Sequence, residues 1–194
     1  AWQRVEPPQG CWRARNRLML SASEDYYASL DDDARFVVGD ELALAVAYLE
    51  HNPKIAAVAF DIVSPDRPET VPRGLARAVR LYNGCGHVLR LAAVRQLGGY
   101  AEVPGEYGGE EKDLCLRLID SGYVIVQLDG VHVWHEKSML ARDLARQHRS
   151  GVCNDMVFEL QRCPLALLAP MLVCKISRHL IFALRNRLLR PFLS

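Results

Sequence analysis

The sequence predicts an α/β chain: a mixed sheet flanked by helices, followed by a helical tail. Three observations carry that expectation. Short runs rich in β-branched and aliphatic residues, Ile55 to Val63, Val124 to Leu128 and Val131 to Trp134, alternate with segments such as Asp40 to Glu50 whose apolar residues fit one helical face. Glycine, proline or asparagine marks the junctions, at Asn52-Pro53, Gly98-Gly99 and Gly122. From Leu140 onward the strand patterns stop and the chain reads helical. With 50% apolar and 24% charged residues, and no repeats or low-complexity tracts, the composition is that of a globular protein with a buried core.

The elements follow in order. Residues 1 to 10, with Pro7-Pro8, read as an extended lead-in to a helix over Trp12 to Met19. Tyr26 to Leu30 is an apolar, aromatic strand closed by Asp31-Asp32-Asp33. A helix over Asp40 to Glu50 ends at Asn52-Pro53, and Ile55 to Val63 is the next strand. Three prolines make Ser64 to Pro72 a loop. Tyr82 to Leu89 reads as extended and Leu91 to Leu97 as a short helix stopped by Gly98-Gly99. Glu111 to Ser121 is a helix stopped by Gly122, and the strands Val124 to Leu128 and Val131 to Trp134 complete the body.

Three polar pieces interrupt this scaffold. Carboxylates at a strand's carboxyl end suit a hard divalent cation, and open α/β sheets bind ligands there. Three adjacent acids also suit a solvated acidic turn. Glu110, Glu111 and Asp113 occupy a first helical turn after Gly108-Gly109, where the helix dipole favours anions, so capping explains them as well as a general base does. In Val131-His132-Val133-Trp134-His135, strand alternation puts His132 and Trp134 on one face and leaves His135 at the end, turned toward the crevice as a metal ligand or a surface residue.

The ordered set is more specific than any member. Ala14-Arg15-Asn16, Leu30-Asp31-Asp32-Asp33-Ala34, Gly98-Gly99-Tyr100-Ala101-Glu102, Glu110-Glu111-Lys112-Asp113-Leu114 with Arg117 and Gly122-Tyr123, and His135-Glu136-Lys137-Ser138 together resemble the family-two inverting glycosyltransferases of GT-A (Rossmann-like) fold. The resemblance covers about residues 10 to 138 and is nearest to bacterial rhamnosyltransferase-like enzymes that build surface polysaccharide.

It implies a sugar moved from a nucleotide-diphosphate sugar to an acceptor hydroxyl of a cell-surface glycan or lipid-linked precursor, by single displacement assisted by Mn2+ or Mg2+. Asp31 and Asp33 match the DXD acids that contact the metal and the donor's ribose or diphosphate, Asp33 the more direct metal ligand of the two, with Asp32, Arg15 and Asn16 also on the donor side. Glu111 stands where the family has its catalytic aspartate, one methylene longer, which leaves the base open among Glu111, Asp113 and Glu110. His135 matches a metal- or phosphate-binding histidine, and Gly84, Gly86, His87 and Glu110 fall on the acceptor side.

The family's opening strand and base-reading acid have no counterpart before Asn16. The resemblance therefore implies a partial GT-A domain over residues 1–138, lacking its nucleotide-binding half, with a helical, basic extension over 139–194. Two other classes fit parts of the pattern. One is a non-catalytic, transferase-derived scaffold held at a membrane. The other is a metal-dependent phosphohydrolase, against which Asp33 is followed by Ala34-Arg35 rather than the threonine or serine such a nucleophile motif carries.

The formal net charge of +1 hides an asymmetry. Residues 1–136 carry 14 Lys and Arg against 20 Asp and Glu, a net of −6, whereas 137–194 carry 10 against 3, a net of +7. In the tail, Pro164 to Cys174 is apolar for only 11 residues before Lys175, Arg178 and His179. Leu165, Leu168, Leu172, Ile176 and Leu180 recur at helical steps, followed by Arg185, Arg187 and Arg190. That pattern fits an interfacial helix on an anionic membrane, hence a cytoplasmic protein at the inner face of the cell membrane; a packed helix or oligomer contact and a true span are the other readings. Aliphatic rather than aromatic residues interleave the charges, which argues against nucleic acid. The six cysteines show no paired spacing and read as reduced, mostly buried thiols rather than a zinc site.

Overall fold

The computed structural model describes residues 10–65, 76–105, 108–136 and 143–189. The lead-in expected over residues 1–10 and most of the proline loop over 64–72 lie outside them. The chain divides into two compact units, one of residues 16–100 and 111–139, the other of 1–15, 101–110 and 140–194.

The first unit is built on a mixed sheet. Its strands are β1 (Tyr26–Ser29), β2 (Ala34–Phe36), β3 (Ile55–Val63), β4 (Ala76–Val79), β5 (His87–Arg90) and β6 (Val124–His135). The order is β1-β5-β3-β6-β2, and β4 also pairs with β6. The central pair, β3 and β6, is parallel, and the other pairings are antiparallel. Eight of the nine β3 residues are buried, as a strand covered on both faces requires.

The two strands expected over 124–134 are one. β6 shifts register against β3 between Phe60↔Leu128 and Asp61↔His132, with Gly130 at φ 82 inside the irregularity. The strand therefore survives a break in its hydrophobic pattern. On its far side its first half pairs with β4, Ala76↔Leu128 to Val79↔Ile125, and its last residues with β2.

Helix α2 (Glu41–His51) covers one face, where Ala45 and Leu49 pack with Val58, Phe60, Val88, Val126 and Val133. Full burial of a leucine such as Leu49 is worth roughly 1.5–3 kcal/mol. Asp40 occupies the N-cap without a side-chain bond. The cap is instead the wholly buried Glu41, whose Oε1 accepts from the N–H groups of Val37 (2.8 Å) and Val38 (2.6 Å) and whose Oε2 accepts from Gly39 (2.6 Å). At the other end Arg90 closes the helix, donating to the carbonyls of Leu49 (2.5 Å), Ile55 (3.1 Å) and Asn52 (3.3 Å).

Helix α3 is Leu91–Gln96, α4 is Glu110–Asp120 and α1 is Cys11–Ser21, the unit boundaries falling within α1 and at the start of α4. Asn16 of α1 clamps the backbone of Tyr100, donating to its carbonyl (2.8 Å) and accepting from its N–H (2.7 Å). The chain comes close enough there that a Cβ on Gly99, at φ +78, would meet Asn16 Oδ1 at 2.5 Å.

In the second unit α5 (Leu144–Arg162) and α6 (Leu165–Arg185) form an antiparallel hairpin. Lys175 reaches Asp155 (3.3 Å) and Glu159 (3.5 Å), and His179 Nε2 lies 3.2 Å from Asp155, while His148 stacks at 4.8 Å on Phe182. Asp143 caps α5, accepting from the Arg146 N–H at 3.0 Å. The helix α6 continues past Lys175, Arg178 and His179 to 21 residues, long and apolar enough by length and composition to cross a membrane. Leu168, Leu172 and Leu180 of the expected interfacial stripe are half-buried, and the most exposed large apolar residues of α6 are Leu165, Val173, Leu167 and Leu184.

Candidate metal-binding and catalytic site

The site begins where β1 ends. Asp31 to Asp33 turn the chain, with the Ala34 N–H donating to Asp31 O at 3.1 Å, and β2 starts immediately. Antiparallel pairing then sets Ala34 opposite His135, and the Glu136 N–H donates to Asp33 O at 3.0 Å. This pairing brings His135 to the acidic turn across about a hundred residues of sequence. Its Nε2 lies 2.9 Å from Asp33 Oδ1 and 3.8 Å from Asp31 Oδ2. Yet that buried nitrogen makes no hydrogen bond among the described residues. A buried imidazole nitrogen set against two carboxylates without hydrogen-bond alignment is an arrangement a cation would complete, and the oxygen and nitrogen donors fit a divalent metal. Asp32 is exposed.

A further donor comes from the turn before β5. The Gly86 N–H donates to Ser29 O and Phe60 N–H to Gly86 O, both at 2.9 Å, while Ser29 Oγ donates to Gly84 O at 2.9 Å. These bonds stitch Gly84-Cys85-Gly86 to the end of β1. A Cβ on Gly86, at φ +72, would meet Ile62 Cδ1 at 3.0 Å, so the close approach requires glycine. The ligating atoms of Asp31, Cys85 and His135 all lie within 4.8 Å of one another. Nothing local in the sequence marks Cys85; the pairing of its turn with Ser29 places it.

The remaining sequence-predicted residues are distributed more widely. His87 is fully buried, stacked at 4.3 Å on Tyr82, with Nδ1 2.7 Å from Asn83 O. Asp113 is buried and accepts from Arg117 Nε at 2.7 Å, and Arg117 also donates to the carbonyls of Leu97 (2.8 Å) and Gly99 (2.6 Å). Asp113 thereby ties α4 to the glycine turn. Glu111 is half-buried. In the other unit, the buried Glu110 lies 3.6 Å from Arg15 Nη1. Trp134 is half-buried beneath Arg35, whose guanidinium carbon sits 5.3 Å from the ring.

Burial dominates the titration of the neighbouring thiol. It pushes the Cys115 thiol up to about 12, helped by the nearby Glu111 charge and opposed by a backbone bond at Tyr82. Burial likewise raises the Tyr82 phenol well above its ordinary value. The second unit holds a cavity of about 590 Å³ lined by His148, Asn154, Asp155, Arg178, His179 and Arg185 among others. Burial and then the adjacent His179 lower the His148 imidazole. The sequence marks this region only as a basic amphipathic tail.

No family model matches the chain, and no curated protein matches it. Its fold does have likenesses among solved structures. A mannosyltransferase of Pyrobaculum calidifontis, solved with GDP-Man and Mn2+, superposes with a TM-score of 0.59 at 16% identity, over 91% of this chain and 55% of that one. S. aureus TarS gives 0.61 at 14% identity over 95% of this chain and 56% of the other. GalNAc-T7, solved with UDP, GalNAc and Mn2+, gives 0.61 at 14% over 91% and 42%. The chain thus spans about half the length of these neighbours. The likenesses show a GT-A-type glycosyltransferase fold, the class expected from the sequence.

Proposed function

We propose that the chain forms part of a glycosyltransferase that moves a sugar from a nucleotide-diphosphate sugar to an acceptor hydroxyl with inversion, in the manner of the rhamnosyltransferase-like enzymes its motifs resemble. The observation that carries the proposal is the convergence of Asp31, Asp33 and His135 at the end of the sheet where β1 and β6 finish. Two of the structural neighbours were solved with Mn2+ and with GDP-Man or UDP. A bound divalent ion, Mn2+ or Mg2+, would supply charge stabilisation to the departing diphosphate.

The chain's own residues do the rest. Asp31, Asp33 and His135 would hold the ion, and Asp32 faces solvent beside them. Glu111 takes the proton of the acceptor hydroxyl as that oxygen attacks the anomeric carbon opposite the leaving group. We assign Glu111 because it stands where the family its motifs resemble has the catalytic aspartate; Asp113 is bound by Arg117, and Glu110 pairs with Arg15. Arg15 and Asn16 act as positioning residues on the donor side, through Glu110 and the Tyr100 backbone. Gly84, Gly86 and the buried His87 shape the acceptor side from within. The acceptor is a glycan or lipid-linked precursor, and α6, on which Leu165, Val173, Arg178 and Arg185 are all exposed, docks on an anionic membrane surface.

The proposal separates two roles. Asp33→Ala weakens metal-dependent donor binding, whereas Glu111→Ala leaves donor affinity intact and abolishes turnover, measured by calorimetry and by nucleotide release. Equal loss of binding in both variants would contradict the assignment.

A further inference from the structure

We propose that Cys85 is a further protein donor in the cation site, so that Asp31, His135 and Cys85 form, beside Asp33, a mixed carboxylate–imidazole–thiolate set that prefers a borderline ion such as Zn2+ or Co2+ to Mg2+. The inference rests on the metal-binding reading above and extends it to a residue that reading does not use. The three ligating atoms lie within 4.8 Å of one another, the span a single ion can bridge. Cys85 is 4% exposed and His135 8%, so both donors sit nine-tenths or more inside the protein, and His135 Nε2 makes no hydrogen bond among the described residues.

The turn that carries the thiol is built, not incidental. Ser29 holds it from both sides, accepting from the Gly86 N–H and donating through Oγ to Gly84 O, and β1 runs from Ser29 through Leu30 directly into Asp31. The positive φ and close packing of Gly86 against Ile62 and Val133 fix the same turn on its other side. Two of the three donors therefore share one short, hydrogen-bonded frame. His135 joins it through the β2–β6 pairing.

Donor chemistry sets the ion. Carboxylate alone suits Mg2+ and Mn2+, imidazole adds affinity for Zn2+, and thiolate shifts preference further toward soft or borderline ions. On binding, the Cys85 S–H proton is released to solvent as the S–metal bond forms. The competing description makes Cys85 a core thiol, since it also packs in the cluster with Val88, Val131 and Val133. The two descriptions differ in what a sulfur-sensitive ion would report.

The test uses Co2+ on the full chain, with the exposed Cys11, Cys153 and Cys174 replaced by Ser to remove adventitious thiols. Near-ultraviolet absorption reads sulfur-to-cobalt charge transfer, equilibrium dialysis reads bound cobalt, and thermal melts establish that each variant is folded. The expected result is a charge-transfer band that is absent in Cys85→Ser, with cobalt affinity there reduced at least about tenfold, as for loss of one group supporting a metal site. Zn2+ in small excess displaces the cobalt, and millimolar Mg2+ does not. Cobalt bound with no band, and with the same affinity in Cys85→Ser, overturns the thiolate assignment while leaving the carboxylate–histidine site standing. No cobalt binding by the folded protein, or binding unchanged in His135→Ala, overturns the metal reading itself.

Discussion

Replacing Glu41 by glutamine removes one negative charge and little else, and its cost is set by three backbone N–H groups. In the native site Oε1 accepts from Val37 and Val38 and Oε2 from Gly39, all at 2.6–2.8 Å. Glutamine keeps the Oε1 pair but sets an amide –NH2 against the Gly39 N–H, donor facing donor. A hydrogen bond to a charged group is worth about 1.5–3 kcal/mol; because Val37 and Val38 are themselves exposed and water can reach the turn, we expect a cost of about 1–2 kcal/mol for Glu41→Gln and about 2–4 for Glu41→Ala. At roughly 2–4 °C per kcal/mol for a chain of this size, the glutamine variant melts about 3–6 °C lower.

The pH dependence gives a second check. Burial raises the Glu41 carboxyl, but the backbone donors outweigh it and hold the group below its ordinary value. A depressed carboxyl contributes stability that is present above its unfolded value and lost as pH falls through the folded one. Wild type and Glu41→Gln should therefore differ at pH 7 and converge in acid, in parallel urea titrations. A glutamine variant within about 0.5 kcal/mol of wild type at pH 7, or a gap unchanged at about pH 3, refutes the cap. The turn matters for function because residues 37–39 leave β2 just after the acids.

Other perturbations read other joints. Asn16→Ala removes both clamp bonds to Tyr100 and lowers stability by about 1–3 kcal/mol by denaturant titration. Gly99→Ala collides with Asn16 Oδ1, so in the double variant the two losses sum to less than their separate costs; simple additivity would contradict the packing. Native-state alkylation near pH 8 should label Cys11, Cys153 and Cys174 well before Cys115, whose thiol is held at about 12, and simultaneous labelling would show that Cys115 is not buried as described. The chain should co-sediment with anionic vesicles in a salt-sensitive way that Arg178→Ala and Arg185→Ala weaken; equal binding to neutral vesicles would remove the electrostatic part of the membrane proposal.

Long, periodic elements were legible in the sequence. β3 runs over Ile55–Val63 as its pattern implies, and α2 and α4 begin within one residue of expectation. β2 and β4 were not legible. Three residues, Ala34-Arg35-Phe36, carry no period, and Ala76-Arg77-Ala78-Val79 is largely exposed, so each is a strand only because β6 offers it an edge. The break at Asp129-Gly130 made one strand read as two. At the site, the residue types of Asp31, Asp33 and His135 were legible while their proximity depended on long-range pairing. Cys85 read as an inert thiol because the bonds that bring it to Asp31 come from Ser29, far away in sequence. In the tail, counting apolar residues gave 11, but a helix tolerates Lys175 and His179 where Asp155 and Glu159 on its partner helix neutralise them, and so reaches 21.

The central claim is a donor site that works through a metal held by the acidic turn. Calorimetric titration of the full chain with GDP-, UDP- and dTDP-sugars, with and without Mn2+ and beside Asp33→Ala, tests it most directly. The account predicts binding of one nucleotide class that requires both Mn2+ and Asp33. Mn2+-independent binding, binding undiminished in Asp33→Ala, or no binding by the well-folded chain would contradict it.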